Sequence, residues 1–296
     1  MMAFKHFATL ACMSLLAACA AAKPSTPAIW RVSDADNSVY LLGSFHALKQ
    51  SDYPLSAAIN NAYADAELLV FEMAPEQLQS PDLPTKIAQM ATLPAGQRLQ
   101  ALLPEKTWQA LKAWSERNPE SHLLALQRFE PWYVAVIVIN AQAKSQGFEA
   151  EHGLDQHLMN QAKGSNKPSI GLESAEQQIA LFDAMPMPAQ IQLLKESLFD
   201  TKKSKKELDN LHALWKAGET KRFEQQTVTK MQREYPDLYQ SINVARNNAW
   251  LPKLQRLLDA EHEKDVLVVV GALHLLGPDG LVQKLKALGY KVEPLK

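Results

Sequence analysis

Two short runs at opposite ends of the chain carry one pattern: VYLLGSFHALKQ at positions 39–50 and VLVVVGALHLLG at positions 266–277. Each is an apolar stretch, a glycine, two further residues and a histidine, so His46 and His274 follow Gly43 and Gly271 at the same spacing. A lone histidine is most often a half-buried side chain satisfied by a backbone carbonyl, whereas two in matching settings point to one shared site. Imidazoles suit divalent transition metals when carboxylates complete the shell. Glu72 and Glu173 are the candidate carboxylates, because each ends a predicted strand. Four donors scattered this widely form no HExxH, cysteine-pair or EF-hand motif, so the pattern itself names no metal.

Other polar groups offer supporting chemistry. Arg246 and Asn247 lie in VARNNAW, where Arg246 and Trp250 are four apart and share a helix face. That spacing allows a guanidinium stacked on an indole. If the face looks into a crevice, Arg246 can instead hold a substrate carboxylate or polarise a carbonyl, and Asn247 can donate to an oxyanion. The run GFEAEHGLDQHL brings Glu149, Glu151, His152 and Asp155 to a helix start, where Asp155 either caps the helix or faces the site, while His157 is expected on the helix surface. Ser44 is not in a G-x-S-x-G elbow, and no phosphate-binding glycine loop occurs.

The elements that position these groups follow from periodicity. Residues 29–32 and 38–42 flank Asp-Ala-Asp-Asn and read as a hairpin. A helical spacing at 55–66 leads to a strand at 67–72, so His46 lies within a strand, helix, strand unit. The C-terminus repeats the unit: a β-branched strand at 265–270, a helix at 280–287, a break at Gly289 and a return strand at 290–292. A further strand is expected at 167–173. Helical periodicity fills 105–117, 132–145, 152–163, 175–183, 189–199, 207–217, 219–234 and 238–263, with the apolar run 132–141 read as a buried helix or strand. The fold class is α/β: a parallel or mixed central sheet flanked by helices, with a large helical insert at about 100–260 between the two strand-GxxH-helix-strand units. In such sheets ligands bind at the carboxyl ends of the strands, where both histidines fall.

The first residues read as an export signal. Lys5 precedes an apolar stretch at 7–18, too short to span a membrane as a helix. Leu16-Ala17-Ala18-Cys19 resembles a lipobox, with Cys19 the lipidated first residue of the mature chain. Ala20 beside it matches the outer-membrane sorting class, and a short tether at 20–28 leads into one domain at 29–296. The expected location is the periplasm-facing side of the bacterial outer membrane by lipid anchor, or otherwise the soluble periplasm. The other cysteine, Cys12, would leave with the signal, which excludes disulfide and thiol redox chemistry. With 31 Lys and Arg against 32 Asp and Glu, no electrostatic case for nucleic acid exists.

Gly43-Ser44-Phe45-His46, Glu72, Gly153-Leu154-Asp155, Lys167-Pro168 leading to Gly171-Leu172-Glu173, Gln177 and Gln178, Arg246-Asn247 and Gly271-Ala272-Leu273-His274 together resemble the TraB/GumN family. That family is grouped with Tiki proteases, erythromycin-esterase-like enzymes and ChaN-like haem-binding lipoproteins. The resemblance implies a parallel-sheet fold with both GxxH motifs in one site. From the Tiki branch it implies divalent-metal-dependent proteolysis with His46, Glu72 and His274 as ligands. Glu173, Arg246 and Asn247 match polar positions of the family whose roles the resemblance leaves open. The expected function is a hydrolase that uses Mn, Co or Zn, held by His46 and His274 with Glu72 or Glu173, to activate water against a peptide or small-molecule substrate. Whichever glutamate is not a ligand takes the proton, and Arg246 or Asn247 stabilises the tetrahedral intermediate. A metal-independent esterase or amidase, with His46 or His274 as base, and a non-catalytic haem- or ligand-binding envelope lipoprotein are the alternatives.

Overall fold

A computed structural model describes residues 25–33, 37–199, 201–259 and 264–295. The expected export signal, Cys19 and the first part of the tether lie outside the described residues. Within the expected tether, Ser25 is fully buried and hydrogen-bonded through its backbone to Pro54 and Ser56.

The six strands are β1 (Ile29–Ser33), β2 (Ser38–Ser44), β3 (Leu68–Met73), β4 (Ser169–Glu173), β5 (Val266–Gly271) and β6 (Lys291–Leu295). They form one sheet in the order β4-β3-β5-β2-β1-β6. β1 is antiparallel to both β2 and β6, while β2, β5, β3 and β4 run parallel to one another. The sheet is therefore mixed, as the strand-helix alternation predicts.

The two repeated units interleave. β5 lies between β2 and β3, paired in parallel with both, so the last unit of the chain is inserted into the first. Register places Ser44 opposite Gly271 and Gly43 opposite Val270. This pairing brings two GxxH motifs more than two hundred residues apart to the same sheet end. The return strand does not rejoin its own unit: β6 crosses to the far edge and pairs with β1. All six residues of β5 are buried, because helices cover both faces of a central parallel strand and favour its continuous Val and Leu run.

The helical insert has its own apolar centre. Trp108, Leu111, Trp114, Trp132, Val134, Val138 and Leu194 pack in a cluster separate from the one around the sheet. The run read as helix or strand is helix Pro131–Lys144, begun by a proline at a position where the missing N–H costs nothing. The expected continuous helix at 238–263 differs more: a π-helical turn at Gln240–Val244 precedes helix Ala245–Leu258. The wider turn leaves Asn243, Arg246, Asn247 and Trp250 facing the strand ends. Residues 219–234 also divide, at Thr227, into two short helices. Among the described residues no helix is long and apolar enough to cross a membrane.

Candidate functional site

His46 follows β2 in a bend that helix Leu154–Gly164 approaches closely. A Cβ at Gly153 would lie 2.3 Å from the His46 carbonyl oxygen, so only glycine lets the two segments meet. That contact delivers Asp155, whose Oδ1 lies 3.2 Å from His46 Nδ1 and accepts the Ser44 hydroxyl at 2.8 Å. An ionised carboxylate only accepts, so His46 carries its proton on Nδ1 and turns Nε2 toward β5. Asp155 thus faces the site, one of its two expected roles. Burial alone would lower the His46 pKa, and the charges of Asp155 and Glu72 outweigh it and raise it. With 60% of the side chain open to water, screening moderates that pull.

His274 sits in a 3-10 turn directly after β5 and is buried. Its Nδ1 lies 2.8 Å from Asn247 Oδ1. The Asn247 amide nitrogen faces the carbonyl oxygens of His274 and Asp279 at 3.1 and 2.9 Å, which fixes Oδ1 toward the ring. Nδ1 therefore carries the proton, and Nε2 accepts from Arg246 Nη1 at 3.0 Å. Burial drives the His274 pKa down to about 3, so the imidazole is neutral. Asn247 is fully buried with its amide engaged, which removes the expected oxyanion role and makes it the residue that orients His274.

Glu72, near the end of β3, lies between the two rings. Its Oε1 accepts the Gly271 N–H at 2.7 Å, and its Oε2 accepts from Arg246 at 2.6 Å and from Gln178 at 3.1 Å. Both imidazole Nε2 atoms stand 3.8 Å from Oε1. Burial would raise the Glu72 pKa; the facing imidazoles, Arg246 and the Gly271 amide outweigh it and hold the carboxyl well below its usual range. A Cβ on Gly271 would lie 3.0 Å from His46 Nε2 and 3.2 Å from Glu72 Oε1. The absent side chain is what lets the three groups converge.

Glu173 stands behind this cluster rather than within it. Its carboxylate takes Arg246 Nη2 at 2.5 Å, Arg246 Nε at 3.1 and 3.2 Å, and Trp250 Nε1 at 3.2 Å. Arg246 also stacks on Trp250, its guanidinium carbon 4.6 Å from the ring centre, as the four-residue spacing predicts. All five of its N–H groups are engaged, counting Ile242 O, so none is left in this arrangement for a substrate carboxylate or carbonyl.

His46, Glu72, Gln178, Arg246 and His274 floor a cleft of about 620 Å³ between the sheet end and the helical insert. Leu78, Met159, Leu181, Phe182 and Ile242 form apolar walls, while Glu151 and Asp155 add acidic groups on the His46 side. A volume of this order accommodates a small molecule or a short peptide segment. His157 lies elsewhere: its ring is half-buried against Tyr53, 4.3 Å between centres, rather than on the open helix surface. Glu149 and His152 pair with each other at 3.6 Å.

Among the described residues, no three His, Cys, Asp or Glu side chains stand close enough as placed to hold a metal ion. The donor types are nevertheless those of a metal centre. Two Nε2 atoms approach one carboxylate oxygen equally, each ring is fixed through Nδ1 by an acceptor, and Gly271 leaves space between them. Acceptors on the second ring nitrogen are the usual support of metal-bound histidines. The obstacle is Arg246 Nη1, which occupies the His274 lone pair.

Sequence reading placed seven of these groups, His46, Glu72, Asp155, Glu173, Arg246, Asn247 and His274, and all of them meet here. It missed Asn243, which donates to the Leu273 carbonyl and accepts from Asn247. It gave Gln178 no role, and a half-polar helix face beside a strand-end glutamate was the available signal.

The pattern of the TraB/PrgY/gumN family matches residues 28–294. The uncharacterized protein YbaP of Escherichia coli (strain K12) is 28% identical over 261 residues, covering 88% of this chain and 92% of its own length. The protein of that name from Shigella flexneri has the same identity and coverage. No solved structure matches the chain.

Proposed function

We propose, since the chain belongs to the TraB/PrgY/gumN family, that it is a hydrolase working with a divalent ion, Mn, Co or Zn, held by His46, Glu72 and His274. The observation that carries this reading is the equal 3.8 Å approach of both Nε2 atoms to Glu72 Oε1. When bound, such an ion supplies Lewis acidity and brings the pKa of water at the site toward neutral.

The chain's own residues supply the rest. Asp155 and Asn247 hold the two rings in the tautomers that leave the lone pair on Nε2. Glu173 is saturated by Arg246 and Trp250, so it is not the proton acceptor. Asp155 Oδ2 takes no hydrogen bond among the described residues and its side chain lines the cleft, which makes Asp155 the proton acceptor. The apolar walls hold the flanks of a peptide or ester and exclude water from the reacting carbonyl. Anchoring through a lipidated Cys19 on the periplasmic side of the outer membrane completes this reading and rests on the lipobox alone.

A second reading is metal-free: Asp155 orients His46, which acts as general base on an ester or amide. The Asp155–His46 contact favours it over any base role for His274, whose Nε2 is engaged. The haem- or ligand-binding alternative would show as a coloured complex without turnover.

The test is elemental analysis of the mature protein beside His46→Ala and His274→Ala, followed by a peptide-hydrolysis screen with Mn, Co and Zn. Near-stoichiometric metal lost in both variants supports the reading. Activity that persists in a strong chelator overturns it in favour of the metal-free base.

A further inference from the structure

We infer that Arg246 is a resident cation that competes with the divalent ion for this site and thereby sets how tightly the ion is held. The inference rests on the metal reading proposed above.

Two observations make the guanidinium a competitor rather than a bystander. First, Nη1 donates to His274 Nε2 at 3.0 Å and so covers the lone pair that a metal needs. Second, Nη2 lies 2.6 Å from Glu72 Oε2, and the other oxygen of that carboxylate faces both rings. A positive charge so near a candidate ligand opposes a second cation, and the pair is largely shielded from water, at 11% and 10% side-chain exposure.

Charge balance gives the same result. Arg246 is one positive charge set between Glu72 and Glu173, whose side chains are 10% and 8% exposed. Two buried carboxylates against one guanidinium leave a negative surplus, and Asp155 adds to it on the His46 side. Without a metal, Arg246 is the cation bonded directly to both buried acids. Buried acids without such partners would be strongly destabilising.

Loading then changes what Arg246 does. When a metal takes the His274 lone pair, the hydrogen bond from Nη1 to the ring breaks. The rigid planar guanidinium shifts as one unit, pivoting about its Nη2 contact with Glu173 and sliding across the Trp250 ring so that an Nη1 N–H faces the cleft. The freed N–H is a donor for a substrate carbonyl, available only in the loaded protein. The chain would thereby avoid gripping substrate before it can react.

The test titrates metal-free wild type, Arg246→Gln and Arg246→Lys with Mn²⁺, Co²⁺ and Zn²⁺ against a competing chromophoric chelator. Circular dichroism confirms the fold, and ¹⁵N NMR follows His274 Nε2. Arg246→Gln removes both the charge and the contact with His274, and is expected to bind at least tenfold more tightly. Arg246→Lys keeps a charge but loses the planar fork, and is expected to bind severalfold more tightly than wild type. The wild-type His274 Nε2 resonance should be that of a hydrogen-bonded acceptor and should move in both variants before metal is added. Should Arg246→Gln fail to fold, Arg246→Lys alone decides. Unchanged or weaker affinity in the folded variants, with wild type binding metal, overturns this inference and leaves the hydrolase reading standing. Absence of binding by every protein at millimolar metal overturns both.

Discussion

Asn247 Oδ1 meets His274 Nδ1 at 2.8 Å, and the same amide's nitrogen is shared among Asn243 Oδ1 and the carbonyl oxygens of His274 and Asp279. A turned amide would place a donor against the ring proton and an acceptor against carbonyls. One residue therefore fixes both the tautomer of His274 and the turn that carries it.

Asn247→Ala is expected to cost about 1–3 kcal/mol, since it strands buried polar groups on both sides of the deleted amide. Urea denaturation measures that loss. ¹⁵N NMR should show His274 as a mixture of tautomers, where wild type shows Nδ1–H alone. A variant as stable as wild type with an unmixed tautomer would show that the amide positions nothing.

Gly271→Ala places a methyl group about where three side chains converge, 3.0 Å from His46 Nε2 and 3.7 Å from His274 Cδ2. The backbone there needs no unusual angle, since Gly271 has φ −50, so the fold should persist while the donors are pushed apart. The expected outcome is native circular dichroism with metal affinity reduced on the order of tenfold or more, the scale of a disturbed ligand shell. Unchanged metal content at limiting supply would count against the proposed ligand set.

How much of this was legible without coordinates depends on range. The β-branched run of β5 and the helical spacing at 105–117 are local signals, and both elements form as read. The two GxxH runs signalled a shared site because strand ends gather at one edge of a parallel sheet. Sequence carries no mark of β5 inserting between β2 and β3, since register is decided by packing of two faces at once. The π turn at Gln240–Val244 was hidden for a similar reason: a regular 3.6-residue period was assumed through it. Arg246 and Asn247 are legible by type, but the choice among their roles is not, because saturation of a side chain's donors is a property of its neighbours in space.

The pH response of His46 should separate it from His274. Its folded pKa is raised, so the charged ring favours the folded state; this contribution is fully present below the unfolded value of 6.5 and is lost as pH rises through the raised folded value. NMR titration of the ring protons should give a pKa above 6.5 for His46 in metal-free protein, moving down in Asp155→Asn. His274, held neutral, should not titrate until pH approaches about 3. A His46 midpoint that does not move in Asp155→Asn would remove Asp155 as its partner.

The loop that carries His46 is held from outside the cleft by Asp52, and this latch predicts acid sensitivity. Asp52 has 1% side-chain exposure and pairs with His212 Nε2 at 2.8 Å and Lys216 Nζ at 2.9 Å, both on helix Thr201–Lys216. Burial would raise its pKa, and His212, the Lys49 amide and Lys216 outweigh it and hold the carboxyl far below the usual range. Such a group stabilises the fold fully above its unfolded value of 3.8, and the contribution is lost progressively as pH falls from there through the lower folded value. Asp52→Ala removes one partner of a buried pair and is expected to cost about 3 kcal/mol near neutral pH. Below pH 4 its deficit should shrink, because wild type is losing the same contribution. Because residues 46–52 form one loop, the variant should also loosen His46, seen as faster amide exchange at Phe45 to Leu48. A deficit that stays constant from pH 7 to pH 3 would show that packing, not the charge on Asp52, is what the substitution removes.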